Sequence, residues 1–242
     1  MTGLSGLLLA ATLLLVTALS ASADTRLRVL DTTEAQSGWE AVGRLIFRPG
    51  GFCTGALIAP ELVLTAAHCL YNPRSGRRFA PGEIEFQAGF RHGRAAAYRK
   101  VRRVVLHPDY DFADSDKLDR AGRDLALLQL DRAVRLNNVE PFATRKFAQW
   151  GEVVQVVSYG AHRADAPLLE EGCTILSRVG VMLVLDCSVE FGSSGAPVFV
   201  DAGGEVRILG IISGMAEWKG REISLAVSMG ADLEKLLARI RG

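Results

Sequence analysis

The chain has 242 residues, 49% hydrophobic and 23% charged, a balance that excludes disordered and fibrous classes and supplies enough apolar material for a sizeable core. With 28 basic and 27 acidic residues the formal net charge is +1, so neither a nucleic acid nor an anionic membrane surface is indicated as a partner.

Residues 4–19 are apolar and lead into Ser20, Ala21, Ser22 and Ala23, where Ala21 and Ala23 form a small-residue cleavage site. Residues 1–23 are therefore read as a signal peptide, removed on export to a secreted or periplasmic location. Its positive charge rests on the amino terminus alone, because no Lys or Arg precedes Arg26. Retained, the same run would tether the protein to a membrane, but it is short for a span. Residues 24–40 are polar and irregular and are expected to form the exposed start of the mature protein.

Short apolar runs bounded by turn residues then predict strands at 41–47, 52–58, 62–66, 84–90, 102–106 and 125–130. The basic run 91–103 reads as a solvated strand face and loop. Residues 109–123 read as a surface loop, in which Asp111, Asp114, Asp116 and Asp119 lack a calcium-ligand spacing. Past a linker at 131–141, strands are expected at 152–157, 173–178, 181–186, 196–200, 206–213 and 223–227. Leu233, Leu236, Leu237 and Ile240 share one face of a closing helix. The pattern is all-β, a barrel or sandwich with one terminal helix.

Three stretches carry candidate chemistry. Glu190, Phe191, Gly192, Ser193, Ser194, Gly195, Ala196 and Pro197 set serines among small residues, which suits a tight loop whose N–H groups converge on one point. Thr65, Ala66, Ala67, His68 and Cys69 end an apolar run on a histidine, and Arg123, Asp124 and Leu125 place an aspartate at the mouth of another. Taken singly, such features are most often a turn, a structural histidine and a strand-start residue. Together they supply a nucleophile, a base and an orienting carboxylate, the minimum set for acyl transfer.

In the order His, Asp, Ser, these stretches resemble the chymotrypsin/trypsin-like serine protease family, whose signatures read TAAHC, DIALL and GDSGGP. The resemblance implies two packed antiparallel β-barrels with the site in the crevice between them. Residues 41–140 would form the first, carrying His68 and Asp124, and residues 141–242 the second, carrying Ser194 and the helix. It implies Ser194 as nucleophile, His68 as general base and then acid, Asp124 as the orienting group, and the N–H groups of Gly192 and Ser194 as the oxyanion hole. Ser193 is a competing nucleophile on composition, but the family spacing selects Ser194. The family also joins the cysteine beside its histidine to an upstream one, which implies Cys53–Cys69 and leaves Cys173 for Cys187. Against four reduced core cysteines, an even number fits an oxidising compartment. No CxxC or His-rich spacing suggests a metal, and the chemistry needs no cofactor.

The departures are informative. Ser193 stands where the trypsin-like pattern has the aspartate that pairs with a new N-terminal amine, and no activation sequence lies near the mature start. The loop is therefore expected to be held without that switch, as in the bacterial branch related to glutamyl endopeptidases. The specificity pocket would be formed by Ser188, Ser213, Gly214 and Met215. Ser188 argues against selection of arginine or lysine, and Ile212 stands where glutamyl endopeptidases carry a histidine, so a preference for acidic residues is not supported either. Met215 would narrow the pocket toward small or apolar side chains. The reading is an exported, monomeric serine endopeptidase that acts on protein or peptide substrates without stable membrane association. Its alternative is a catalytically silent, protease-like binding protein, which in this fold commonly lacks a triad residue.

Overall fold

A computed structural model describes residues 26–241, so the expected signal peptide at 1–23 lies outside the described residues. The chain enters through β1 (Arg26–Val29) and a single-turn helix, α1 (Thr33–Gln36). β2 (Val42–Phe47), β3 (Phe52–Ala59), β4 (Leu62–Thr65), β5 (Ile84–Ala88), β6 (Ala97–Leu106) and β7 (Ala126–Leu130) close into an antiparallel barrel in the order β2-β3-β4-β7-β6-β5. A second barrel follows from β8 (Val153–Gly160), β9 (Arg163–Val179), β10 (Met182–Leu185), β11 (Pro197–Asp201), β12 (Val206–Trp218) and β13 (Arg221–Ser228). It runs β9-β10-β13-β12-β11-β8 and is closed by β8 pairing with β9, while β1 adds to β9 outside the ring.

Strand periodicity explains the walls. On β6, Ala97, Val101 and Val105 are buried while Tyr98, Lys100, Arg102 and Arg103 face solvent, so residues 97–103 of the basic run are the outer face of a strand that begins five residues before the expected 102–106, and 91–96 are turn. Leu45, Leu57, Leu64, Phe86 and Leu127 fill the first barrel, and their cluster continues through Tyr159 and Phe199 of the second barrel to Leu236 of α3 (Gly230–Arg241). Val154, Ile175, Leu183, Val198 and Leu209 form a separate core in the second barrel. Arg103 of β6 donates to the carbonyls of Arg239 and Ile240, which satisfies the end of α3 and complements its dipole. Among the described residues no helix is long and apolar enough to cross a membrane.

Three expectations need correction. Residues 24–40 are not all irregular: β1 pairs with β9, Thr32 caps α1, and Leu30 is completely buried. Four residues joined through backbone bonds leave no period-2 signal in the sequence. The loop at 109–123 contains α2 (Lys117–Gly122), capped by Asp116, whose carboxylate accepts from the N–H groups of Leu118 and Asp119. β9 starts at Arg163, ten residues before the expected strand, because Pro167 and Gly172 break the run. Gly172 sits at φ +82°, where the register against β8 shifts between Val154 and Val156, so the glycine marks a bulge inside a continuous strand.

Candidate active site

His68 opens a short 3-10 turn directly after β4, and Asp124 precedes β7, the strand paired with β4. The barrel thus sets the two residues side by side. Asp124 is 2% exposed and holds His68 twice: Oδ1 accepts the backbone N–H of His68 at 2.7 Å, and Oδ2 lies 2.6 Å from Nδ1. A carboxylate only accepts, so Nδ1–H is the donor and the lone pair of the neutral ring is left on Nε2. Burial works against a charged imidazole, but the charge and hydrogen bond of Asp124 outweigh it and raise His68 above its ordinary value of 6.5. Ser213 of β12 donates its hydroxyl to the same Oδ2.

The loop between β10 and β11 is fixed to this pair through its backbone. Thr54 N–H donates to the carbonyl of Ser194 at 2.9 Å, and Thr54 Oγ1 donates to the carbonyl of Gly192 at 2.9 Å. Thr54 follows Cys53, which is disulfide-bonded to Cys69, the neighbour of His68. Gly195 N–H donates to Ile212 at 2.8 Å, one residue before Ser213. Gly195 itself, at φ +77°, lies so close to Thr65 and Ala66 that an added Cβ would fall on Thr65 Oγ1. The residue after Ser194 is thereby packed against Thr65 and Ala66, which precede His68 on the chain, and among the described residues no hydrogen bond joins Ser194 Oγ to His68 Nε2. The N–H groups of Ser193, Gly195 and Ala196 have backbone acceptors, whereas among the described residues those of Gly192 and Ser194 have none. These two unpaired amides are the ones that the sequence suggests for an oxyanion hole. Ser193 is 1% exposed and its hydroxyl bonds to Ser158 Oγ at 3.1 Å, which removes it as a competing nucleophile.

The expected pocket residues divide. Ser213, Gly214 and Met215 line one cavity of about 360 Å³ with His68 and Asp124, and Ser188 is not among its lining residues. Ser213 spends its hydroxyl on Asp124 rather than on a pocket wall. Met215 is 49% exposed at the rim. Ser188 donates its N–H to both oxygens of Glu170, a carboxyl group 2% exposed on β9. Burial pushes the Glu170 carboxyl up despite those bonds. Sequence reasoning missed Glu170 because its strand was hidden by Pro167 and Gly172. It also missed Lys117 and Arg120, which with Tyr110 line the 360 Å³ cavity from the segment read as a surface loop. A larger cavity of about 790 Å³ shares only Leu225 with it and contains none of the expected site residues. The second disulfide, Cys173–Cys187, ties β9 to the segment that leads to Ser188.

A family model described as Trypsin matches residues 30–229. Chymotrypsin-like elastase family member 1 of Homo sapiens is 34% identical over 120 residues, covering 48% of this chain and 43% of that protein. Complement C1r-B subcomponent of Mus musculus is 33% identical over 116 residues, covering 45% of this chain and 15% of that protein. Kallikrein 1-related peptidase b21 of Mus musculus is 26% identical over 189 residues, covering 69% of each. The chain thus spans less than half the length of the first two of these relatives. A solved structure of a Glu endopeptidase in complex with MPD matches with a TM-score of 0.71 at 17% identity, over 87% of this chain and 94% of that one, which shows a shared fold.

Proposed function

The chain belongs to the trypsin family of serine proteases, and from that premise we propose that it is an exported endopeptidase working through an acyl-enzyme on Ser194. The observation that carries the proposal is the 2.6 Å His68–Asp124 pair beside a loop whose Gly192 and Ser194 amides have no acceptor among the described residues. His68 Nε2 takes the Ser194 proton as Oγ attacks the scissile carbonyl, and the oxyanion that forms is held by the two amides. The imidazolium, stabilised by Asp124, then protonates the leaving amine, and water repeats the sequence to release the acid. No metal or cofactor enters these steps.

Two disulfides favour an oxidising compartment, and cleavage after Ala23 would deliver the chain there. Substrates are proteins or peptides, with Met215 at the cavity rim favouring small or apolar side chains. The test is labelling of the mature protein with a fluorophosphonate probe, the adduct mapped by mass spectrometry, with Ser194→Ala as control. Stoichiometric labelling at Ser194 and cleavage of a peptide library are expected. A well-folded protein that takes no label would instead favour the silent, protease-like binding protein.

A further inference from the structure

We propose that Glu190 is the positioning residue that holds the oxyanion-binding peptide in its working orientation, by locking residues 190–193 onto the turn at 160–163. The proposal rests on the acyl-transfer reading of Ser194. The peptide between Phe191 and Gly192 is the part that must not rotate. Its carbonyl accepts the Ala161 N–H at 2.6 Å, and because carbonyl and N–H point in opposite directions in a trans peptide, that bond turns the Gly192 N–H away from Ala161. Gly192 sits at φ +99° and lacks the side chain that would resist rotation, so the orientation has to be imposed from outside the peptide.

Glu190 supplies the constraint. Its Oε2 lies 2.8 Å from His162 Nδ1 and its Oε1 3.5 Å from Arg163 Nη2, so the carboxylate grips both residues that follow Ala161. The same carboxylate lies over Gly160, where an added Cβ would fall on it. The backbone carbonyl of Glu190 accepts the Ser193 N–H at 3.0 Å, which closes the tight turn containing Gly192. Residues 158–163 therefore meet the loop at four points: Ser158 on Ser193, Gly160 under Glu190, Ala161 on Phe191, and His162 with Arg163 on Glu190.

Glu190 is the sole charged residue between Ser188 and Pro197. Ser193 makes a neutral hydroxyl contact with Ser158, so the charged contact of this loop is made three residues upstream, by Glu190. Its counter-charge is the guanidinium of Arg163, on the same barrel. Burial works against the Glu190 carboxylate, but His162 and Arg163 outweigh it and hold the group below the usual carboxylate range.

The experiment compares wild type with Glu190→Ala, Glu190→Gln and His162→Ala/Arg163→Ala, reading Ala161 amide hydrogen exchange, kcat, KM and Tm. In Glu190→Ala the Ala161 amide should exchange at least ~10-fold faster and kcat should fall about 10²-fold, the loss typical of one oxyanion donor, with KM within about threefold. His162→Ala/Arg163→Ala should reproduce this without touching the loop, and adding Glu190→Ala to it should cost less than about twofold more. Glu190→Gln, which keeps the shape, should fall between wild type and Glu190→Ala. If Glu190→Ala does not fold, Glu190→Gln and His162→Ala/Arg163→Ala carry the comparison. Folded variants with a protected Ala161 amide and unchanged kcat would overturn the proposal while leaving Ser194 acyl transfer standing. Faster exchange in a protein whose wild type neither takes the probe nor cleaves peptides would uphold the lock and overturn acyl transfer.

Discussion

Ser213 Oγ donates a 2.5 Å hydrogen bond to Asp124 Oδ2, the oxygen that also lies 2.6 Å from His68 Nδ1. One carboxylate oxygen is thus shared between a side chain of the second barrel and one of the first. Hydrogen bonds to buried charged groups contribute about 1.5–3 kcal/mol, so Ser213→Ala should lower the unfolding free energy by that amount. Denaturant titration reads it directly, and an unchanged midpoint would show that the bond does not form in solution.

The raised proton affinity of His68 fixes the direction of the pH dependence. The proposed reaction needs the neutral ring, so kcat/KM should fall as pH drops through a midpoint above 6.5, the ordinary histidine value. For stability the sign is opposite: the pair contributes fully below 6.5 and its contribution is lost as pH rises through the folded-state value. Asp124→Asn should shift the acid limb to lower pH and reduce kcat by about 10⁴-fold, because the ring loses its fixed tautomer. A pH–rate profile of both proteins checks the two statements together.

Gly195 is irreplaceable for a reason of space. At φ +77°, an alanine Cβ there would meet Thr65 Oγ1, the Thr54 carbonyl and, at 3.0 Å, the Ala66 nitrogen. The left-handed conformation alone costs about 1–2 kcal/mol, and the backbone contacts add to it. Gly195→Ala should therefore destabilise the protein by more than about 2 kcal/mol and slow fluorophosphonate labelling more than ~10-fold. Gly203, at φ +78° with nothing near its Cβ position, is the control. Gly203→Ala should show the conformational cost and no change in labelling.

Glu170 makes a prediction of opposite sign to a salt-bridged carboxylate. Its folded-state proton affinity is raised, so the native protein keeps a proton that the unfolded chain has already released. Stability should then fall as pH rises from about 4.5 through the raised value. Glu170→Gln has no such titration and can still accept the Ser188 N–H, so its Tm advantage over wild type should widen between about pH 4.5 and 7. A constant offset across that range would contradict this.

The sequence made the barrels legible wherever one face of a strand is buried and the other more open, as on β2. It also made His68, Asp124 and the 190–197 loop legible, because each sits at the end of an apolar run. What it hid depends on contacts distant along the chain. Nothing near Glu170 announces a carboxyl under Ser188, and nothing near Ser213 announces a bond across the crevice to Asp124. Arg103 reads as one more basic surface residue until α3 folds against it. Glu190 reads as a solvated loop residue, since its partners lie 27 and 28 residues upstream.

Thr54 has a wider consequence. It belongs to the first barrel, yet its N–H and hydroxyl hold the carbonyls of Ser194 and Gly192, and Tyr159 N–H returns a bond to that hydroxyl. The loop bearing Ser194 is therefore bolted to the opposite half of the molecule. Heating should abolish the reaction and melt both halves in a single cooperative step. A chain cut in the 131–141 connection would yield two inert fragments, and any turnover on mixing them would be a direct count of molecules whose halves had reassembled.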